Sequence, residues 1–597
     1  MVAPSHQSGL RLTAQLVSRW LDATELRVGL GCMRLSTDDD RDGRRFLETI
    51  AAADSAGITV FDTAHAYGRG AADLGQNERA LAEALRRCGA AGHARIVTKG
   101  GMTRAGDQWV PDGRARSMFA DCEASLLALD GLPIDLYLIH APDPRTSWAT
   151  SVRALARILD QGLAKRVGLS NVNRSQLEEA LDIADITAVQ VPLNPFDIRA
   201  LRGGVIELCE QRGISVIAHS PLGGPRRAAR LGGIRVLNEI AESKPATAAE
   251  IALAWLLDLS PAVIAIPGAR QPATARSSAQ AARVSLSTAE RASLARALGG
   301  RAIDRPVPKQ SRAETEVVLV MGIPGAGKSR LAQQYVDRGY ARLNRDERGG
   351  SLSELAASLD EALTDGVQRV VLDNTYLTRV ARSYVVEAAA RHQAQTRCIW
   401  LDTPLVDAQV NMVERLLNRF GSLPSPEDLR LMSRREPGLH TPTSQMRTLR
   451  ELEAPSTDEG LTFVERIGFA RESHPDRSNE GVFVAADALS RRGWEHAIAA
   501  AGPDAPHLLF DWCPEDCADS LQAAAEQLSH VVAGPVETSV CGHPGGPPTC
   551  WCRPPLPGLP MAFAQRHRID LSRSTFIGTT PTHRRLAKAL GARFVLI

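Results

Sequence analysis

Lysine is the scarcest charged residue of this 597-residue chain, with six lysines against 64 arginines. Two of the six, Lys99 and Lys328, nonetheless fall inside motifs that need an ammonium group. A large excess of either charge is also missing. The net charge is +2 at pH 7, so no global basic field announces a nucleic-acid binder, and any such contact must be local. No run of 18 apolar residues exists, and the first residues lack the apolar stretch of a secretory leader. These two absences lead to the expectation of a cytoplasmic protein. Internal repeats and long low-complexity tracts are missing as well. The ten cysteines are scattered except for one tight cluster near the C-terminus, which suits a reducing compartment with one metal site. The length excludes one core, and about three or four domains are expected.

What is present begins with strand–helix alternation. Residues 1–298 carry eight candidate strands: Leu26–Gly31, Thr59–Asp62, Arg95–Lys99, Leu136–His140, Val167–Asn171, Ala188–Gln190, Ser215–His219 and Val263–Pro267. Eight such runs separated by helical patterns predict an α/β fold of the (β/α)8 TIM-barrel type, with its active site at the C-terminal strand ends. The polar residues there, Asp62, Lys99, His140, Asn171, Gln190 and Ser220, are expected to converge on one mouth. Residues 299–314, rich in Pro, Arg and Gly, read as a linker.

Phe61-Asp62-Thr63-Ala64, Tyr67-Gly68, Thr98-Lys99-Gly100 and His140-Ala141-Pro142-Asp143 resemble the aldo-keto reductase family over nearly the whole segment. The resemblance implies that Tyr67 protonates a substrate carbonyl while a nicotinamide delivers hydride. Tyrosine ordinarily titrates near ~10, so the expectation is that Lys99, held by Asp62, lowers Tyr67, while His140 orients the carbonyl. It further implies that Ser170, Asn171 and Gln190 hold the nicotinamide carboxamide and that Ser220 and Leu222 lie along the pyrophosphate. Gly268, Arg270 and Arg276 match the adenine-phosphate end, where arginines favour NADPH. A Glu-Asn pair common in the family is replaced by Ser277 and Ser278.

Residues 315–470 form a second segment. Gly322-Ile323-Pro324-Gly325-Ala326-Gly327-Lys328-Ser329 follows the apolar run Val317–Met321 and leads into a helical pattern, the context a P-loop requires. Its backbone N–H groups wrap phosphate, with Gly322, Gly325 and Gly327 shaping the loop, Lys328 reaching the β/γ-phosphates and Ser329 ligating Mg²⁺. Asn344-Arg345-Asp346 and Leu372-Asp373-Asn374-Thr375 follow, placing Asp346 as a general base for an attacking hydroxyl. With Arg415 and Arg419 on one helix face, these motifs resemble the kinase domain of polynucleotide 5′-kinases. That resemblance implies ATP as phosphate donor, a lid of Arg415 and Arg419 over the transferred phosphoryl group, and acceptor contacts from Arg345 and Asp373. Arg379, Arg382 and Arg391 read either as a solvated helix face or as a track for a strand backbone. Residues 311–470 hold 20 basic and 22 acidic residues, and aromatics do not interleave with the basic ones as in base-stacking platforms. Tyr376, Tyr384 and Trp400 are the candidate stackers.

In residues 478–597, Cys541, His543, Cys550 and Cys552 form a compact set of zinc-ligand type. With Arg553-Pro554 they resemble the zinc loop of haloacid-dehalogenase-type phosphatases of the histidinol-phosphate kind. Ala485 stands where that family has its nucleophile, Pro554 where it has a lysine, and Gly578-Thr579 where it has its Mg²⁺ carboxylate. The expectation is a pseudo-phosphatase with structural zinc, with Asp511 as the other nucleophile candidate.

The functional expectation is an ATP-dependent kinase for 5′-hydroxyl ends of RNA or DNA fused to an NADPH-dependent carbonyl reductase, serving end repair. The rival readings are a metabolic enzyme that reduces a carbonyl and phosphorylates a small alcohol, and a regulatory nucleotide sensor.

Overall fold

Alternation of β-branched strands with amphipathic helices closes the first segment into a barrel. The computed structural model describes residues 20–38, 42–106, 108–299, 315–436, 438–471, 476–514 and 518–597. The expected linker, apart from Gly299, lies outside these described residues. Eight parallel strands follow one another in order: β1 (Leu30–Gly31), β2 (Val60–Asp62), β3 (Arg95–Gly100), β4 (Leu136–Ile139), β5 (Val167–Ser170), β6 (Ile186–Pro192), β7 (Ser215–His219) and β8 (Val263–Ile266). Parallel bridges Val28–Ala265 and Gly31–Gly268 join β8 back to the first strand. Alternate residues such as Val60, Val97, Leu138, Ile217 and Ile264 fill the barrel with Trp20 and Leu21. Their neighbours face the helices, as a two-residue period requires. Trp20 is held by its indole N–H, which donates to Asp135 Oδ2 at 2.6 Å. After β3 the chain makes an antiparallel hairpin, Met102–Ala105 with Gln108–Pro111.

The second compact unit starts near residue 305 and contains two parallel sheets. The first comprises β9 (Glu316–Met321), β10 (Ala341–Leu343), β11 (Arg369–Asp373), β12 (Gln395–Asp402) and β13 (Phe463–Gly468), in the order β10-β11-β9-β12-β13. The second comprises β14 (Val482–Ala485), β15 (His507–Trp512), β16 (Val536–Cys541), β17 (Thr575–Gly578) and β18 (Arg593–Leu596), in the order β16-β15-β14-β17-β18. The helix Leu405–Phe420 belongs to both. Its Leu405 and Ala408 pack with Ile323 and Ala326 of the loop after β9, while Val413, Leu416 and Leu417 are buried in one cluster with Phe563, Leu586 and Leu590 of the helices flanking the C-terminal sheet. The sequence boundary near 470–478 therefore marks a change of sheet within continuous packing. No helix among the described residues is long and apolar enough to cross a membrane.

Candidate active sites

The barrel mouth is built from strand ends. Lys99, fully buried on β3, donates from Nζ to both Asp62 carboxylate oxygens at 2.8 and 2.9 Å, to Thr63 O at 2.7 Å and to Tyr67 Oη at 3.0 Å. A buried ammonium is tolerable because it is paired and hydrogen-bonded. Since Lys99 is the donor to Tyr67, the phenolic proton is left for another acceptor. Burial pushes the Tyr67 hydroxyl up to about 12; the Lys99 ammonium pulls it down, and the Asp62 carboxylate adds to the rise. The expectation of a lowered Tyr67 is thus corrected: desolvation outweighs the ammonium, and the residue stands protonated at neutral pH. His140 is driven well below its ordinary range by burial and by the charges of Lys99 and His219. Its ring is neutral, and Nδ1 is buried with no hydrogen-bond partner among the described residues.

A cavity of about 330 Å³ opens on these groups and is lined by Asp62, Tyr67, His140, Ser170, Asn171, Gln190, Ser220, Leu222 and Gly268. Asn171 and Ser220 both adopt left-handed backbone, φ 59° and 49°, at the points where β5 and β7 turn away from the barrel. Asn171 Nδ2 donates to His140 O at 3.0 Å, and Gln190 Nε2 donates to Asp62 Oδ2 at 2.6 Å. Arg270 pairs with Asp38 at 3.3 Å, and Arg276 is exposed on the helix Pro272–Ala281; neither lines the cavity.

Three residues of this mouth escaped the sequence reading. Trp109, on the hairpin, meets Tyr67 and His140 edge-on, each at 6.0 Å between ring centroids. The Arg104 guanidinium stacks on the Trp109 ring, 4.1 Å from its centroid. His219, at the end of β7, contacts Asn171 Oδ1 at 3.1 Å, and burial lowers it to about 4. A tryptophan in a turn-flanked segment was the only available signal, and only the fold brings it to the mouth.

In the second unit, the loop between β9 and the helix Lys328–Val336 has φ 86° at Gly325 and 96° at Gly327. A Cβ at Gly325 would stand 2.3 Å from Ala408 O, so both the backbone conformation and the close approach require glycine there. Asn411 Nδ2 donates to Gly325 O at 2.8 Å, and Gln445 Nε2 to Pro324 O at 2.7 Å, fixing the loop from two helices. Lys328 Nζ donates to Gly322 O and Ile323 O, each at 3.0 Å. Burial, and next the Arg415 charge, lower its ammonium to about 8.

A cavity of about 210 Å³ brings Lys328, Ser329, Arg345, Asp346, Asp373 and Arg415 together, with His440 on its wall. Asp373 is engaged by Arg342 at 2.8 and 3.0 Å and by Asn344 Nδ2 at 2.7 Å, so its carboxylate holds Arg342. Arg419 lies outside this cavity and pairs with Glu436. The basic-track reading of the helix Arg379–Arg391 is corrected. Arg382 is fully buried and forked onto Glu459 at 2.6 and 2.7 Å, Arg379 is buried against Asp458 at 3.0 Å, and Arg391 pairs with Asp360 at 3.0 Å. Tyr376 is also fully buried, which removes it as a base-stacking surface.

In the C-terminal sheet, the ligand atoms of Cys541, His543, Cys550 and Cys552 all lie within 4.8 Å of one another. Cys541 Sγ is 3.4 Å from His543 Nδ1, 3.7 Å from Cys550 Sγ and 3.3 Å from Cys552 Sγ. These separations suit a tetrahedron of ligands around an ion with bonds of about 2.0–2.3 Å. Between two of the thiols, Trp551 Nε1 donates to His440 O at 3.2 Å. At the strand ends Asp487 bonds Thr579 Oγ1, and burial raises the Asp511 carboxyl.

Residues 27–298 match the model of the aldo/keto reductase family, and residues 317–427 match that of an AAA domain. A probable aldo-keto reductase 1 from Glycine max is 30% identical over 274 residues, covering 40% of this chain and 76% of that protein. The aldo-keto reductase str7 of Strobilurus tenacellus is 29% identical over 266 residues, covering 40% and 74%. Among solved structures, an aldo/keto reductase from Klebsiella pneumoniae in complex with NADP and acetate is 25% identical, covering 46% of this chain and 92% of that one at a TM-score of 0.40.

Proposed function

Because the chain belongs to the aldo/keto reductase family through residues 27–298, we propose that its barrel reduces a carbonyl with NADPH and that its P-loop unit transfers the γ-phosphate of ATP to a hydroxyl. When bound, the nicotinamide supplies the hydride. The cavity offers Ser170, Asn171 and Gln190 for its carboxamide and Ser220, Leu222 and Gly268 along the remainder. Tyr67 donates its proton to the carbonyl oxygen. The Lys99 ammonium at 3.0 Å stabilises the phenolate that forms, and Asp62 holds that ammonium in place. Neutral His140, which lines the cavity beside Tyr67, orients the carbonyl rather than protonating it.

One observation carries the phosphoryl-transfer reading. Asp346 shares the 210 Å³ cavity with Lys328, Ser329 and Arg415, while its carboxylate has no hydrogen bond or ion pair among the described residues. A carboxylate left free beside a phosphate cradle suits proton abstraction from an acceptor. Ser329 would hold Mg²⁺, and Arg415 would bear on the transferred group. The proposed acceptor is a 5′-hydroxyl end of RNA or DNA, and the reductase would act on aldehyde-bearing ends. A small alcohol is the second reading, favoured by the ion-paired state of Arg379, Arg382 and Arg391 and the burial of Tyr376. The Cys541–Cys552 cluster is proposed to hold structural Zn²⁺ in a haloacid-dehalogenase-like sheet without phosphatase chemistry.

Transfer from γ-labelled ATP to 5′-hydroxyl oligonucleotides, abolished by Asp346→Ala, is the expected result. Transfer to sugar alcohols alone would replace the nucleic-acid acceptor, and no transfer to any hydroxyl would remove the kinase reading. NADPH oxidation by simple aldehydes without activity on aldehyde-bearing oligonucleotides would break the link between the two sites.

A further inference from the structure

Two cavities meet at the phosphate loop. The smaller, about 210 Å³, contains Asp346; the larger, about 870 Å³, lies on the other side of Gly325, Gly327 and Arg415, which line both. A nucleoside triphosphate bound on Gly327–Ser329 must leave the loop in two directions, with the γ-phosphate toward the acceptor base and the nucleoside away from it. The smaller cavity already holds Asp346 and the catalytic cations. Its volume falls below the roughly 300–1,000 Å³ of ordinary small-molecule pockets, whereas the larger cavity lies within that range.

The larger cavity has two unlike walls. One comes from the P-loop sheet, with Leu401 at the end of β12 and Phe469 just after β13. The other comes from the elements packed on the C-terminal sheet, with Leu571 and Ser572 on the turn Leu571–Arg573 and Lys588 and Leu590 on the helix Pro581–Leu590. Both walls are fixed. Arg471 donates to Asp407 Oδ1 at 2.5 Å and to Ala589 O at 2.7 Å, and Arg477 pairs with Glu414 at 2.6 Å, while the shared core lies behind the helix Leu405–Phe420. Apolar side chains with a polar rim suit a flat base and a ribose.

We propose that the elements packed on the C-terminal sheet supply the second wall of the nucleoside pocket of the P-loop site, so that this part of the chain serves in nucleotide binding. This rests on the phosphoryl-transfer reading above. The test is calorimetric titration of the full chain with Mg-ATP and, separately, with Mg-tripolyphosphate, which lacks the nucleoside. Ser572→Trp fills the pocket from an exposed position, and Lys588→Trp does so from an exposed helical one, so either can stand in if the other misfolds. The expected result is at least a tenfold loss of ATP affinity with tripolyphosphate affinity within twofold of the parent. Unchanged ATP affinity in folded variants overturns the pocket assignment alone. A parent chain that binds neither ligand overturns the P-loop reading, and the assignment with it.

Discussion

Gln190 donates a 2.6 Å hydrogen bond to the same Asp62 carboxylate that holds the Lys99 ammonium. The amide from β6 thus adds a second donor to the pair, in addition to any contact it makes with a cofactor. Burial raises the Asp62 carboxyl while Lys99 and Gln190 act in the opposite sense, so each donor helps keep the carboxylate charged.

Gln190→Met should therefore destabilise the barrel in the absence of any cofactor, by about 1–3 kcal/mol, the cost of leaving a buried acceptor short of a partner. Denaturant unfolding of the cofactor-free protein measures this. Unchanged stability with weakened NADPH binding alone would mean the amide serves only the cofactor.

Tyr67→Phe should lower the turnover of carbonyl reduction by about 10²–10⁴-fold, the range of a positioned general acid. Phosphoryl transfer should be unaffected. Parallel assays of both reactions on one preparation check it, and equal loss in both would indicate unfolding rather than lost chemistry.

Arg382→Met should destabilise the second unit by about 3–5 kcal/mol, because Glu459 is left charged and buried without its partner. Restoring stability with Arg382→Met plus Glu459→Leu would show that the pair, and not the arginine alone, carries the effect. A fully stable single variant would refute the buried-pair assignment.

His219 makes the barrel acid-sensitive. Its folded value, lowered to about 4 by burial, lies below its ordinary 6.5. Between these values the unfolded chain binds a proton that the folded one does not. Stability should therefore fall as pH drops from about 6.5 toward 4, then level off. Thermal melts across that window should show a shallower acid limb in His219→Gln. An identical limb would assign the sensitivity to other groups.

A metal at the proposed Cys541–Cys552 site should be visible without any activity assay. The purified chain should carry about one zinc per molecule by elemental analysis, and Cys550→Ser should lose most of it and melt earlier. Full zinc retention in that variant would exclude Cys550 as a ligand.

How much of this was readable in sequence differs from site to site. The reductase mouth was nearly complete, because a barrel places strand ends at one rim and Asp62, Lys99, His140, Asn171 and Gln190 are strand ends. The P-loop and Asp346 were readable because each is local. Arg382 was not, since its counter-ion Glu459 lies 77 residues away and a helical arginine looks solvated until its partner is known. Trp109 and Arg104 belong to a short hairpin whose position depends on the barrel it crosses. The rise of Tyr67 was missed because pair chemistry was visible in the sequence and burial was not.

The helix Leu405–Phe420 carries a consequence for how the second unit melts and how it can be cut. Because this helix packs Leu405 and Ala408 against the phosphate-loop cluster and Val413, Leu416 and Leu417 into the C-terminal core, the two sheets should unfold in one cooperative transition rather than two. A chain ended near residue 470 would expose that apolar stripe to water, at about 1.5–3 kcal/mol for each fully exposed side chain, and would associate through it. The phosphate loop is therefore not a portable module: it exists as a site only with the residues that follow it.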